Sequence, residues 1–267
     1  MNELDATRAQ VIAADMVEDG DATIRAEALR ILGEGSPELA FQKIKQMLGS
    51  GGLLEKRAAF QVLAKMDDQD SADLLSTQLE SITDADWPLR LDIYLAAEQR
   101  LPMVSQDVFD NAAEELGRHA QGLFHLAMQG GDVERGKTVF AKNELSCVRC
   151  HLIESTGGEV GPELTRIAVE KDREYLLKSI VEPNAEISEE FTSYLVVDMD
   201  GQVHVGIVKQ RDDEKIVLLD DQGVRKTILQ EDIDDIRATK SSMPEDLVDK
   251  LTLLELRDLI EYLASLK

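Results

Sequence analysis

Cys147-Val148-Arg149-Cys150-His151 is the stretch of this chain best suited to chemistry, and it holds both of its cysteines. Two thiols three positions apart can each add to one vinyl group along a single porphyrin edge. The adjoining histidine then lies under the iron as an axial ligand. Two other chemistries use the same residue types. A redox dithiol wants a βαβ setting, whereas the flanks here read as helix and loop. A zinc site wants four ligands. The remaining histidines, His119, His125 and His204, form no second cluster. His119 and His125 fall in a helical stretch and are expected to be surface or packing residues. His204 falls on a strand and is expected to face solvent.

The elements that must hold this motif change character along the chain. Residues 1–128 read as consecutive short helices, over 21–32, 37–48, 54–66, 71–82, 88–99 and 106–128. Apolar residues recur there every three or four positions, as in Ile24, Ala28, Ile31 and in Phe60, Leu63, Ala64. Ser36-Pro37 and Trp87-Pro88 mark starts, and Gly33, Gly35 and the run Gly49-Ser50-Gly51-Gly52 mark breaks. Helix pairs with tight turns and no strand signal suggest a HEAT-like α-solenoid over residues 1–130, with a plain irregular helical bundle as the alternative. Gly130-Gly131-Asp132 reads as a boundary, with Asp132 capping a helix over 133–143. A further helix over 172–181 is stopped by Pro183.

From Phe191 the apolar period falls from 3.6 to 2. Strands are expected over 193–198, 202–209, 215–219, 224–229 and 233–237, an antiparallel sheet occupying about 191–237. Asp198-Met199-Asp200-Gly201 and Asp220-Asp221-Gln222-Gly223 supply hairpin turns. A last helix follows over 252–266. The predicted fold is therefore mainly α, with an inserted antiparallel β-sheet in the second half, residues 131–267.

Composition narrows the function classes. The 267 residues carry 29 Lys and Arg against 53 Asp and Glu, a net charge of −24. Residues 1–130 hold 11 basic and 23 acidic side chains and residues 131–267 hold 18 and 30, so each half is net −12. Phosphate contacts need basic surface, so no nucleic acid is expected as a partner. No apolar run reaches membrane-spanning length. The start Met1-Asn-Glu-Leu-Asp has neither the basic region nor the apolar stretch of a signal peptide.

Four features in order resemble a class I c-type cytochrome. A helix with Gly136 and Phe140 precedes the Cys147–His151 motif. Gly161-Pro162-Glu163-Leu164 follows ten residues after His151. Met243-Pro244-Glu245-Asp246-Leu247 comes next, and a terminal helix with Leu259, Tyr262 and Leu263 closes the series. The resemblance implies one covalently attached haem c on Cys147 and Cys150, with His151 and Met243 as the axial iron ligands. It implies that the Pro162 carbonyl accepts the His151 ring N–H, and that the last helix crosses the first. Met199, in a hairpin turn, and Met103 and Met128, upstream of the segment, are poorer ligand candidates.

His151 and Met243 lie 92 residues apart, more than a minimal class I domain needs. The inserted sheet accounts for the excess. This arrangement, with Leu176–Ile187, is similar to the haem-binding domain that ends large multidomain bacterial proteins, where HEAT-like helices precede the cytochrome. What the resemblance implies is an electron carrier and not an enzyme in itself, fed by an upstream dehydrogenase or another redox partner protein. It also implies a periplasmic or otherwise exported location, and it leaves room for an export signal and a catalytic module upstream. Phe140, Leu164, Ile167 and Leu247 are expected to wall the haem, and Arg166 is a candidate propionate partner. The alternative is a HEAT-like interaction scaffold whose Cys-x-x-Cys-His site binds a metal or acts as a redox dithiol.

Overall fold

The computed structural model describes residues 3–267, so Met1 and Asn2 of the expected N-terminal reading lie outside the described residues. The chain divides into two compact units, Met1–Leu126 and Ala127–Lys267. It is mainly helical, with one small antiparallel sheet in the second unit. Among the described residues no helix is long and apolar enough to cross a membrane.

The first unit contains α1 (Glu3–Met16), α2 (Ala22–Gly35), α3 (Pro37–Ser50), α4 (Leu53–Leu63), α5 (Gln69–Glu80), α6 (Trp87–Gln99) and α7 (Gln106–Gly117). Its acidity is partly a capping device. Asp21 accepts from Thr23 N at 2.7 Å and Asp68 from Ser71 N at 2.8 Å, satisfying amides that a helix start leaves without partners. α2 packs on α1, α3 and α4, α4 on α3 and α6, and α5 on α6 and α7, while Tyr94 of α6 meets Phe109 of α7 with ring centroids 4.9 Å apart. Leu29, Leu32, Ile44, Phe60, Leu63, Leu75, Leu79 and Leu91 fill the space between them.

One expectation fails here. The helix expected over 106–128 stops at Gly117, and a turn leads into a separate 3₁₀-helix, Gly122–Met128. Gly122 takes a φ of +53°, a left-handed conformation incompatible with a continuing helix. That break folds His125 into the core, where it packs edge-on to Trp87 and stacks on His119 with ring centroids 4.5 Å apart.

The second unit is built around α12 (Leu253–Ser265), which packs against α8 (Val133–Phe140), α10 (Ile167–Glu170) and α11 (Arg173–Val181); α9 is the single turn Cys147–Cys150. Where α8 meets α12 the backbones nearly touch. A Cβ at Gly136 would fall 1.9 Å from Asp258 O, and one at Gly131 would fall 2.3 Å from Arg257 O. Buried Asp258 accepts from Asp132 N at 2.8 Å and from Arg135 Nε at 2.6 Å. Phe140 packs on Tyr262 with ring centroids 5.7 Å apart, and Leu259 and Leu263 are buried on the same helix. The division between units therefore falls a few residues ahead of Gly130-Gly131: the Met128 carbonyl accepts from Arg173 Nη1, and Asp132 is tied to α12.

The sheet comprises β1 (Ser193–Asp198), β2 (Val203–Arg211), β3 (Lys215–Leu219), β4 (Arg225–Leu229) and β5 (Ile233–Ala238), in the order β4-β3-β2-β1-β5. Val196, Ile216, Leu218 and Ile228 form a buried cluster joined by Val208, Ile233 and Ile236. Every member belongs to a strand, so the sheet curls around its own core. His204 points into this inner face, contrary to the expectation that it faces solvent. Its Nε2 lies 2.8 Å from Asp198 Oδ2 and its Nδ1 2.6 Å from Lys226 Nζ, while its neighbours Val203 and Val205 are exposed. The alternation of β2 is thus inverted: the polar partners at the rim satisfy the imidazole and let it take the inner position.

Two measurements follow from this packing. Gly136→Ala forces α8 away from α12, and overpacking of this kind costs about 1–3 kcal/mol; urea unfolding of the second unit should show a lowered midpoint, and an unchanged one would refute the close crossing. Burial lowers the His125 pKa below the usual imidazole range, so the folded first unit holds this ring neutral. Below about pH 6.5 the unfolded chain then binds the extra proton, and stability falls as the pH drops. Thermal unfolding between about pH 7.5 and pH 5 should show this slope, and His125→Gln should reduce it; an equal slope in the variant counts against the assignment.

Candidate functional site

The Cys147–His151 motif begins after Ser146, whose φ of +56° turns the chain into the helical turn of α9. His151 N closes that turn by donating to Cys147 O at 2.9 Å. A one-turn helix leaves most of its carbonyls without internal partners. The next loop satisfies them: Gly158 N donates to Val148 O at 3.0 Å, and Gly161 N to Cys150 O at 2.7 Å. Leu164 N then donates to Leu152 O at 2.8 Å.

Residues 157–164 thereby fold back flat over the motif, and glycine is what lets them approach. A Cβ at Gly158 would fall 1.9 Å from Arg149 O, and one at Gly157, where φ is +124°, would fall 2.0 Å from His151 O. Gly161 does the same to the imidazole itself: a Cβ there would lie 2.6 Å from His151 Cε1 and 2.8 Å from Nδ1.

His151 Nδ1 lies 2.9 Å from Pro162 O. A carbonyl can only accept, so Nδ1 carries the proton and Nε2 is the ring nitrogen with a lone pair to offer a metal. The ring is thus fixed in tautomer and in orientation. Burial lowers its pKa, with the Pro162 hydrogen bond opposing, so the imidazole is neutral, the form that ligates metals. Burial also pushes the Cys147 thiol up to about 11, with the neighbouring Cys150 adding to the shift. Cys147 is therefore a protonated thiol at neutral pH. Both cysteines are free and half-buried.

Cys150 packs against Val160, Ile207 and Leu219, together with Phe191. Ile207 and Leu219 lie on the outer face of the sheet, opposite the inner cluster. Arg225 of β4 adds an ion pair to Glu159, at 3.3 Å, on the loop over the motif.

Met243 lies on the segment between β5 and α12 and is half-buried. Its N–H donates to Ser241 Oγ at 3.1 Å. Ser241 N donates to Asn184 Oδ1 at 2.8 Å, and Ser242 Oγ lies 2.7 Å from Ser193 Oγ on β1. Of the sequence-expected residues, Cys147, Cys150, His151 and Pro162 are gathered in one short loop structure, while Met243 is held by a separate set of bonds.

Phe140, Leu164 and Leu247 are buried and Ile167 is half-buried. Arg166 is exposed at the start of α10. Met199 is 67% exposed, and the Met103 sulfur lies 3.3 Å from Arg100 Nη2. Sequence reasoning missed Gly157 and Gly158, although the glycine-rich run 157–161 signals close backbone approach. It also missed Ser193, Ile207 and Leu219, whose roles depend on strand register, and Asn184, whose role depends on a loop contact to Ser241; none leaves a local signature. Among the described residues no three His, Cys, Asp or Glu side chains converge as a ready metal-binding group.

Neither a protein-family model nor a curated protein sequence matches this chain.

Gly161→Ala should displace the His151 ring and break its bond to Pro162. In nitrogen-resolved NMR the native protein is expected to show a protected, downfield His151 Nδ1–H resonance that the variant lacks. A native-like resonance in the variant would show that the glycine does not set the ring position.

Proposed function

We propose that this chain is a c-type cytochrome module that carries single electrons. In this reading Cys147 and Cys150 hold one haem c through thioethers, and His151 and Met243 are the axial ligands. The observation that carries it is the restraint on His151. The ring beside a Cys-x-x-Cys sequence lies close against Gly161 with Nδ1–H bonded to Pro162 O. That is what a proximal histidine needs: one nitrogen fixed by a carbonyl, the other directed to the metal.

The donor set suits the group. Cys147 and Cys150 stand at the two ends of one helical turn, with sulfurs available for bonding. The protonated Cys147 argues against a resting redox dithiol, because exchange-active cysteines have lowered pKa values. A haem held by these residues, with His151 and Met243 as its iron ligands, would supply one-electron exchange.

The chain's residues then have distinct tasks. Pro162 orients His151 and raises its donor strength. The neutral thioether of Met243 favours the reduced iron and raises the potential relative to a second nitrogen ligand. Val160, Phe191, Ile207 and Leu219 exclude water on the Cys150 side. The consecutive short helices of the first unit, with α2 packed on α4, α4 on α6 and α5 on α7, support a HEAT-like solenoid that serves as spacer or docking surface.

The electron donor in this reading is a dehydrogenase, on an upstream module or a separate chain. Thioether attachment is made to reduced thiols outside the cytoplasm, so the working protein belongs in the periplasm or an equivalent exported compartment.

Expression with a haem-attachment system should give a red protein with sharp α and β bands when reduced, its haem retained through denaturation. Cys147→Ala or Cys150→Ala should weaken that retention. A colourless product that binds zinc instead would refute the assignment. Met243→Ala should abolish the far-red methionine–iron charge-transfer band and lower the potential, and an unchanged spectrum would reject Met243 as ligand.

A further inference from the structure

The inserted sheet is more than filler between helices. Ser193, Ile207 and Leu219 come from three neighbouring strands and stand directly opposite one another in register: Ser193 pairs with Ile207, and Ile207 with Leu219. All three are buried, at 1%, 1% and 3% exposure. Directly opposed residues project to the same face of a sheet, so they form one continuous row across β1, β2 and β3.

The two ends of this row touch different parts of the candidate site. Ile207 and Leu219 press on Cys150 and Val160 beside His151. Close strand approach holds that end: a Cβ at Gly206 would fall 2.5 Å from Leu219 O. At the other end, the Ser193 hydroxyl meets the Ser242 hydroxyl at 2.7 Å, one residue before Met243. Ser193 O also accepts from Thr239 N at 2.8 Å, fastening the same segment just after β5. Ser193 is buried at its end of this contact and Ser242 is half-buried, so removing the Ser193 hydroxyl takes away a bond that water reaches only from the Ser242 side.

We propose that the row Ser193–Ile207–Leu219 is a positioning platform, which fixes the segment carrying Met243 relative to the Cys150–His151 segment. The inference rests on the haem reading above. It gives the 92-residue separation of the two ligands a physical purpose: the intervening chain folds into the surface that brings both ligand segments to one face. Ser193 is a positioning residue. Its hydroxyl holds the side chain of Ser242 and its carbonyl the amide of Thr239, and the methionine ligates.

The test uses the full haem-loaded chain. Oxidised protein is heated while the far-red methionine–iron band and the far-ultraviolet circular dichroism are followed together. In Ser193→Ala the band should vanish several degrees further below the loss of helical signal than in the unaltered protein, since the loop loosens before the fold. Ser193→Thr keeps the hydroxyl and should restore the original gap. Ser242→Ala removes the same hydrogen bond from the loop side and should widen the gap as well, which covers the case in which Ser193→Ala does not fold. A retained haem and an intact band, with no widening of the gap in either alanine variant, overturn the platform alone. A chain that keeps no haem, or shows no methionine band when unaltered, overturns the haem reading and the platform with it.

Discussion

The second unit is organised around an imidazole that has nowhere to turn. His151 lies close against Gly161, where a single methyl group would not fit, and its Nδ1–H is held by Pro162 O at 2.9 Å. For the ring to stay there, the chain between Gly157 and Leu164 must lie directly on the Cys147–Cys150 turn. It does so by donating amides to carbonyls that so short a helix cannot satisfy internally. The hydrogen-bonding deficit of a one-turn helix is thus what draws the orienting carbonyl into place.

Among the helices of the unit, α8 and α12 come into backbone contact, because Gly131 and Gly136 present no side chain and Asp258 ties the start of α8 to the middle of α12. Beside the Cys147–Cys150 turn, the curled sheet presents Ile207 and Leu219 to Cys150 and keeps its larger apolar cluster to itself. The sheet therefore has two packing roles on two faces, one for its own stability and one for the candidate site. An insertion that folds around its own core adds a wall without drawing apolar side chains away from the helices.

The strong negative charge has a structural use that composition alone does not show. Asp21, Asp68, Asp132 and Asp172 each cap a helix, and Asp258 anchors α12. Carboxylates near helix N-termini are favoured by the amides and by the helix dipole. Many acidic residues are accordingly local stop and start signals in a helix-rich chain as well as solvated surface.

Much of this was legible in the sequence because it is local. The Cys-x-x-Cys-His spacing, the helix caps, the shift from a period of 3.6 to one of 2, and the glycines of the hairpin turns are all set by neighbours within a few residues. The break after Gly117 was missed because a helical period survives across it, and only the left-handed backbone at Gly122 shows the interruption. His204 was misread because alternation gives two faces without saying which is inside, and the curl of the sheet made the imidazole's face the inner one. The pairing of Ser193 with Ile207 and of Ile207 with Leu219 depends on strand register, and the contact of Ser193 with Ser242 on a partner about fifty residues away in sequence. Residue types and their spacing set which thiols and which imidazole lie side by side; how that imidazole is aimed and what leans on it emerge only in the folded chain, because aim comes from contacts that chain neighbours do not make.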